Sequence, residues 1–190
     1  MFVLTIKAKI MKTKNALKLL LVILLNLFVL NSFAQRHHHK PRHHSPHHKY
    51  SKLPHWGHSY KVAPRGALVF PYSGVKYHYH GGIFYKPVGA RYVIARPPVG
   101  LRVRTLPEKH VVVVVEGRRY FYYYGTYYVR TNGNEYTTVA PPVGARVDAL
   151  PDGYKKVVIN GLTYYEFEGT YYEAYIDDSG EVWYEVVGVN

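Results

Sequence analysis

A repeat of 43 to 44 residues, marked by prolines and glycines in fixed register, constrains this chain more than any other feature. Pro97-Pro98-Val99-Gly100-Leu101-Arg102-Val103 recurs 44 positions later as Pro141-Pro142-Val143-Gly144-Ala145-Arg146-Val147. A second frame runs through three copies. Pro64, Pro107 and Pro151 are each followed ten residues on by Gly74, Gly117 and Gly161, then by Tyr77, Tyr120 and Tyr164. A second glycine follows at Gly82, Gly125 and Gly169, and an aromatic pair closes the frame at Phe84-Tyr85, Tyr127-Tyr128 and Tyr171-Tyr172. Self-similarity at such a period is the mark of stacked supersecondary units. A unit of this size buries too little surface to offset ordering entropy of about 1.5 kcal/mol per residue, so the copies must shield one another. They are read as 59–96, 97–140 and 141–188 within one domain, 59–190. The first lacks the Pro-Pro-Val-Gly lead-in, and the last ends in Trp183-Tyr184 after an insertion around Asp177-Asp178.

Inside a unit the chemistry has the period of strands. Lys156–Ile159 is a β-branched run that ends at Asn160-Gly161, the dipeptide best suited to a two-residue hairpin turn. Leu162–Phe167 returns to a second tight turn at Glu168-Gly169, and Thr170–Tyr175 and Val182–Val187 complete the unit. The second copy yields Val111–Val115, Arg119–Tyr123, Thr126–Arg130 and Glu135–Ala140 in the same way. The predicted fold is therefore all-β: tandem four-stranded antiparallel meanders packed on one another, each ended by prolines that cannot donate ladder hydrogen bonds. Five successive valines predict a strand covered on both sides, so the middle unit is expected to be the most buried. The third, with Glu166 and Glu168 on one strand face, is expected to be a polar end.

The N-terminus reads as an export signal. Lys7, Lys9, Lys12, Lys14 and Lys18 precede the apolar run Leu19–Leu30, and Ser32-Phe33-Ala34 supplies small residues for cleavage after position 34. The run is shorter than a membrane span, so no transmembrane segment is expected once residues 1–34 are removed. Residues 35–107 then carry 13 Lys and Arg and no carboxylate, while residues 108–190 carry 7 basic and all 12 acidic residues. The front half cannot pair its charges internally. They must meet water, the acidic half of this or another copy, or an anionic envelope polymer such as lipopolysaccharide. Nucleic acid is not expected as a partner of an exported chain.

Residues 35–58 read as a disordered basic leader that holds nine of the twelve histidines. His37, His38, His39, His43, His44, His47 and His48 are candidate metal ligands, since imidazole binds borderline-soft ions. Pro41 and Pro46 break any helix that would pair these rings on one face, which points to a tether more than a formed site. His78 and His80 alternate with tyrosines and project from one strand face, which reads as a half-exposed polar face, with a metal pair completed by His110 or the leader as the alternative.

No catalytic constellation is found. The chain has no cysteine, no Gly-x-Ser-x-Gly elbow and no His-Glu-x-x-His helix, and no cofactor is implied. Asp177-Asp178 and Glu166/Glu168 imitate a glycosidase pair but are better explained as solvated charge. A non-enzymatic module is expected. Tyr120, Tyr122, Tyr124, Tyr127 and Tyr128 are the ligand candidates, because a phenol ring can serve as a platform for sugars, with core packing as the competing reading.

The string Gly74-x2-Tyr-x-Tyr-x-Gly-Gly-x-Phe-Tyr85, then Arg96-Pro-Pro-Val-Gly-x-Arg-Val-x-x-Leu-Pro107 and Gly125-Thr-Tyr-Tyr128, resembles the uncharacterised bacterial family DUF6515 over about residues 58–188. Its members resemble exported or envelope proteins with Tyr-rich β repeats. The resemblance implies no catalytic or cofactor residues. The Ser-Phe-Ala-Gln junction is similar to those of Bacteroidota, which implies a Gram-negative periplasm or outer surface. The resulting expectation is a structural or interaction module of the cell envelope, with glycan or anionic-polymer binding through the tyrosines and metal binding by the leader as alternatives.

Overall fold

The computed structural model describes Pro46 and residues 48–190 apart from Asn132. The expected export signal and the leader up to residue 45 lie outside the described residues, as does His47.

Three five-stranded antiparallel sheets follow one another along the chain. The first comprises β1 (Ser59–Tyr60), β2 (Leu68–Tyr72), β3 (Val75–His80), β4 (Ile83–Val88) and β5 (Arg91–Ile94). The second comprises β6 (Arg102–Val103), β7 (Val111–Val115), β8 (Arg118–Tyr123), β9 (Thr126–Arg130) and β10 (Tyr136–Val139). The third comprises β11 (Arg146–Val147), β12 (Lys155–Ile159), β13 (Leu162–Phe167), β14 (Thr170–Ile176) and β15 (Val182–Val189). Each is the expected four-stranded meander plus one short strand that pairs with the last, as in β1-β5-β4-β3-β2. That fifth strand is the correction to the sequence reading. The residues after the prolines do not merely link units; they begin the next sheet.

The meander turns have the expected chemistry. Asn160-Gly161 and Glu168-Gly169 both carry two successive positive φ angles, as do Glu116-Gly117 and Tyr124-Gly125. That is the mirror-image turn whose twist matches a hairpin. An aromatic residue at positive φ is costly, so Tyr124 (φ 44°) must be held there by its surroundings.

The lead-in is present in all three copies, which corrects the second expectation. Gly100 and Gly144 donate their amides to Thr138 and Val186 at 2.9 and 2.8 Å, and Gly57 donates in the same way to Ile94 at 3.3 Å. Pro54-His55-Trp56-Gly57 therefore occupies the place of Pro-Pro-Val-Gly.

The second and third lead-ins each seal the sheet before them. Leu101, Val103 and Leu106 pack on Tyr77, Tyr79 and Phe84 of the first sheet. Ala145, Val147, Ala149 and Leu150 join Val113, Tyr122 and Tyr127 of the second in the larger core. The phenols fix the register: the Tyr79 hydroxyl donates to the Thr105 carbonyl (3.3 Å), and the equivalent Tyr122 donates to Ala149 (3.0 Å). In the third copy this position is Glu166, which accepts from the amide of Gly169 in its own turn. The third unit carries an acid here but is not the polar end expected, since Val158, Ile159, Leu162, Tyr175, Ile176, Val187 and Val189 are exposed on it. Among the described residues the middle unit contributes four of the five fully buried tyrosines, Tyr122, Tyr124, Tyr127 and Tyr128, the fifth being Tyr172 of the third unit. The valine run behaves differently from expectation. Val113 is buried, but Val112 and Val114 are 50% and 60% exposed, because successive side chains of a strand point to opposite faces and only one face of β7 is covered.

Arg96, at the junction of the first and second copies, ties all three together. Its guanidinium donates to the carbonyls of Gly125 (3.1 Å), Glu168 (3.1 Å) and Phe167 (3.4 Å) and to the Thr170 hydroxyl (3.2 Å), and it lies over the Phe167 ring. Replacing it with Met removes charge-assisted bonds to both later sheets and leaves carbonyls unpaired. The expected cost is about 3 kcal/mol in urea unfolding, and Arg96→Lys recovers only part because an ammonium cannot span the fork.

Candidate functional site

The docked end of the leader builds the most featured surface of the molecule. A single turn of 3-10 helix, His48–Tyr50, brings Tyr50 into the core, where it is 8% exposed. Its ring meets Tyr123 edge-on at 6.0 Å and Tyr124 at 5.1 Å, and its hydroxyl accepts from the Tyr124 amide at 3.4 Å. Trp56 then packs against Tyr124 and Phe167 at 5.3 and 4.9 Å. These contacts hold Tyr124 in its strained turn. The expected boundary of disorder at residue 58 is corrected accordingly: residues 48–58 fold onto the second and third units.

Charge follows the same path. Lys49 pairs with Asp148, and His55 pairs with Asp152. The Trp56 amide donates to Asp152 at 3.0 Å and its indole to Glu168 at 3.1 Å, while the Tyr124 hydroxyl donates to the Pro54 carbonyl and to Asp152. The basic front half thus meets the acidic half of its own chain, one of the outcomes the charge split allowed.

Between this leader turn and β7 lies a groove of about 480 Å³, lined by His48, Lys49, Lys52 and Lys109 on its rim and by Tyr50, Leu53, Val111 and Tyr123 beneath. No carboxylate lines it. Lys52 and Lys109 are exposed and form no ion pair among the described residues. Nothing in the local sequence announced this groove, since its walls lie more than fifty residues apart.

The tyrosines proposed from sequence as a sugar platform are placed differently. Tyr122 and Tyr128 are 0% exposed and Tyr124 and Tyr127 are 1% exposed; only Tyr120 is partly open, with Arg118 over its ring. Four of the five therefore have no free face for a ligand. They are spent on the contact between sheets. Burial raises the Tyr122, Tyr127 and Tyr128 phenols well above their usual range.

Of the candidate metal ligands, His48 lies exposed in the leader turn; His37, His38, His39, His43, His44 and His47 are outside the described residues. His78 meets Tyr92 edge-on at 4.8 Å, whereas His110 meets Phe121 at 5.4 Å and contacts the Pro107 carbonyl at 2.7 Å. Among the described residues no group of three or more His, Asp or Glu is arranged to hold an ion. The carboxylate pairs are structural. Asp177 accepts from the Ser179 hydroxyl at 2.6 Å and from the Trp183 indole and the amides of Ser179 and Glu181, all three at 2.9 Å, which holds its carboxyl below the usual range. Glu166 caps its own turn and Glu168 anchors Trp56.

No helix among the described residues is long and apolar enough to cross a membrane. No curated protein and no solved structure matches the chain. The model of the Family of unknown function (DUF6515) matches residues 29–190, further toward the N-terminus than the motifs that first suggested it, and the chain belongs to that family.

Proposed function

We propose that the chain is an exported, non-enzymatic module of the cell envelope, in which stacked repeats form a rigid body that anchors and presents a basic leader. The observation that carries this reading is where the tyrosines go. They fill the seams between sheets, and Tyr79 and Tyr122 bond to the next copy's backbone, which fixes the scaffold. The leader is fastened to that scaffold by Tyr50 and Trp56. The basic start and small residues at Ser32-Phe33-Ala34 support export.

The test is to express a C-terminally tagged chain in a Gram-negative host, fractionate the cells and sequence the N-terminus of the product. The expected product begins at Gln35 and is recovered outside the cytoplasm. A full-length product confined to the cytoplasm overturns the reading.

A further inference from the structure

We propose that the groove beneath Lys52 and Lys109 binds an acidic polysaccharide, with sugar rings over Leu53 and Val111 and sugar carboxylates against the two ammonium groups. The proposal rests on the reading of the chain as an envelope interaction module and names its partner.

Three features of the groove select this chemistry. Its volume, about 480 Å³, falls within the range of ligand clefts, roughly 300–1,000 Å³. Its rim is cationic on both walls: Lys52 stands on the leader turn and Lys109 on the segment before β7, so a ligand must carry repeated negative charge to meet both. Lys49, the third lysine, is already committed to Asp148. Its floor is apolar and fixed. Tyr50 and Tyr123, 8% and 7% exposed and edge to face, belong to the core, and half-buried Leu53 and Val111 give the apolar surface on which the C–H face of a sugar can lie. Lysine ammonium is a point charge without a bidentate fork, suited to carboxylates spaced along a polymer.

The probe is polygalacturonate, titrated by calorimetry into the mature chain, beside its fully methyl-esterified form, which keeps the sugars and removes the charge. Polygalacturonate is expected to bind, to weaken as salt rises, and to lose its affinity on esterification. Lys52→Glu/Lys109→Glu is expected to weaken binding about tenfold or more with an unchanged melting temperature. Lys76→Glu/Lys86→Glu, the same change of net charge on exposed residues of the first sheet, is expected to weaken it less than about threefold. Lys52→Gln/Lys109→Gln gives an intermediate loss and guards against a folding defect. No binding, equal losses in the two Glu variants, or binding of phosphorylated lipopolysaccharide without polygalacturonate overturns the assignment. Any of these leaves the envelope reading standing, because fractionation tests that separately.

Discussion

Raised past pH 10, the protein unfolds in one cooperative step that coincides with ionisation of its buried tyrosines. The phenols of Tyr50, Tyr122, Tyr127 and Tyr128 are lifted above their ordinary value of 10.0, chiefly because burial disfavours the phenolate. Tyr79, at the first seam, is pushed up to about 12 for the same reason. An unfolded chain releases these protons near pH 10, whereas the folded chain retains them. The folded state therefore binds more protons above that point, and stability falls as pH rises. The stability held by these groups is complete below the unfolded value and drains as pH climbs toward the raised folded ones. By about pH 11 each phenol that stays protonated has forfeited about 1.4 kcal/mol, so the four together forfeit about 6 kcal/mol, a large part of a typical domain's stability. Tyrosinate absorption and the β-sheet circular dichroism should change together on a pH titration. Phenolate appearing progressively near pH 10 with the sheet signal intact would refute the packing of the seams.

The sheet architecture was legible in the sequence because turn chemistry is local. Asn160-Gly161 needs two positive φ angles that few other dipeptides supply, and its neighbours alternate with the period of a strand. The short first strand of each sheet was not legible. Two residues carry no periodicity, and Arg102-Val103 is defined only by a partner more than thirty residues away, Tyr136-Thr137. The first lead-in escaped notice for a related reason. Only its Pro54 and Gly57 match the later copies, and the intervening site carries Val99 and Val143 at 57% and 60% exposure, where nothing restrains the side chain. Trp56 uses that freedom to reach Phe167. The tyrosines were ambiguous in principle, since one side chain type serves a seam and a sugar platform equally well. Neighbouring sheets decide between them, and a single copy read alone does not contain its neighbour. The Lys52 and Lys109 groove is further from view still, because it exists only once Tyr50 has docked.

The order of stacking is tested most sharply by a series of glycine substitutions. Gly82 and Gly125 occupy the second turn of their units at φ +87° and +80°. A methyl group on Gly125 would sit 2.6 Å from Cε1 of Phe167 and 3.1 Å from Cγ of Pro151, both in the following copy. On Gly82 it would collide with Pro107 and lie 2.5 Å from Tyr123, the equivalent pair one copy earlier. Gly169 holds the same turn position at φ +74°, but its nearest atom is the Asn190 carbonyl oxygen at 3.6 Å, an ordinary contact. Gly117, in a first turn at φ +77°, faces open space. Backbone strain alone costs about 1–2 kcal/mol for alanine at positive φ, and forced overpacking adds about 1–3. Gly82→Ala and Gly125→Ala should therefore lose about 3–4 kcal/mol in urea unfolding, and Gly169→Ala and Gly117→Ala about 1–2. The contrast within one turn position separates local strain from the seam. Equal losses at Gly125 and Gly169 would mean that each copy does not lie against the turn of the one before it.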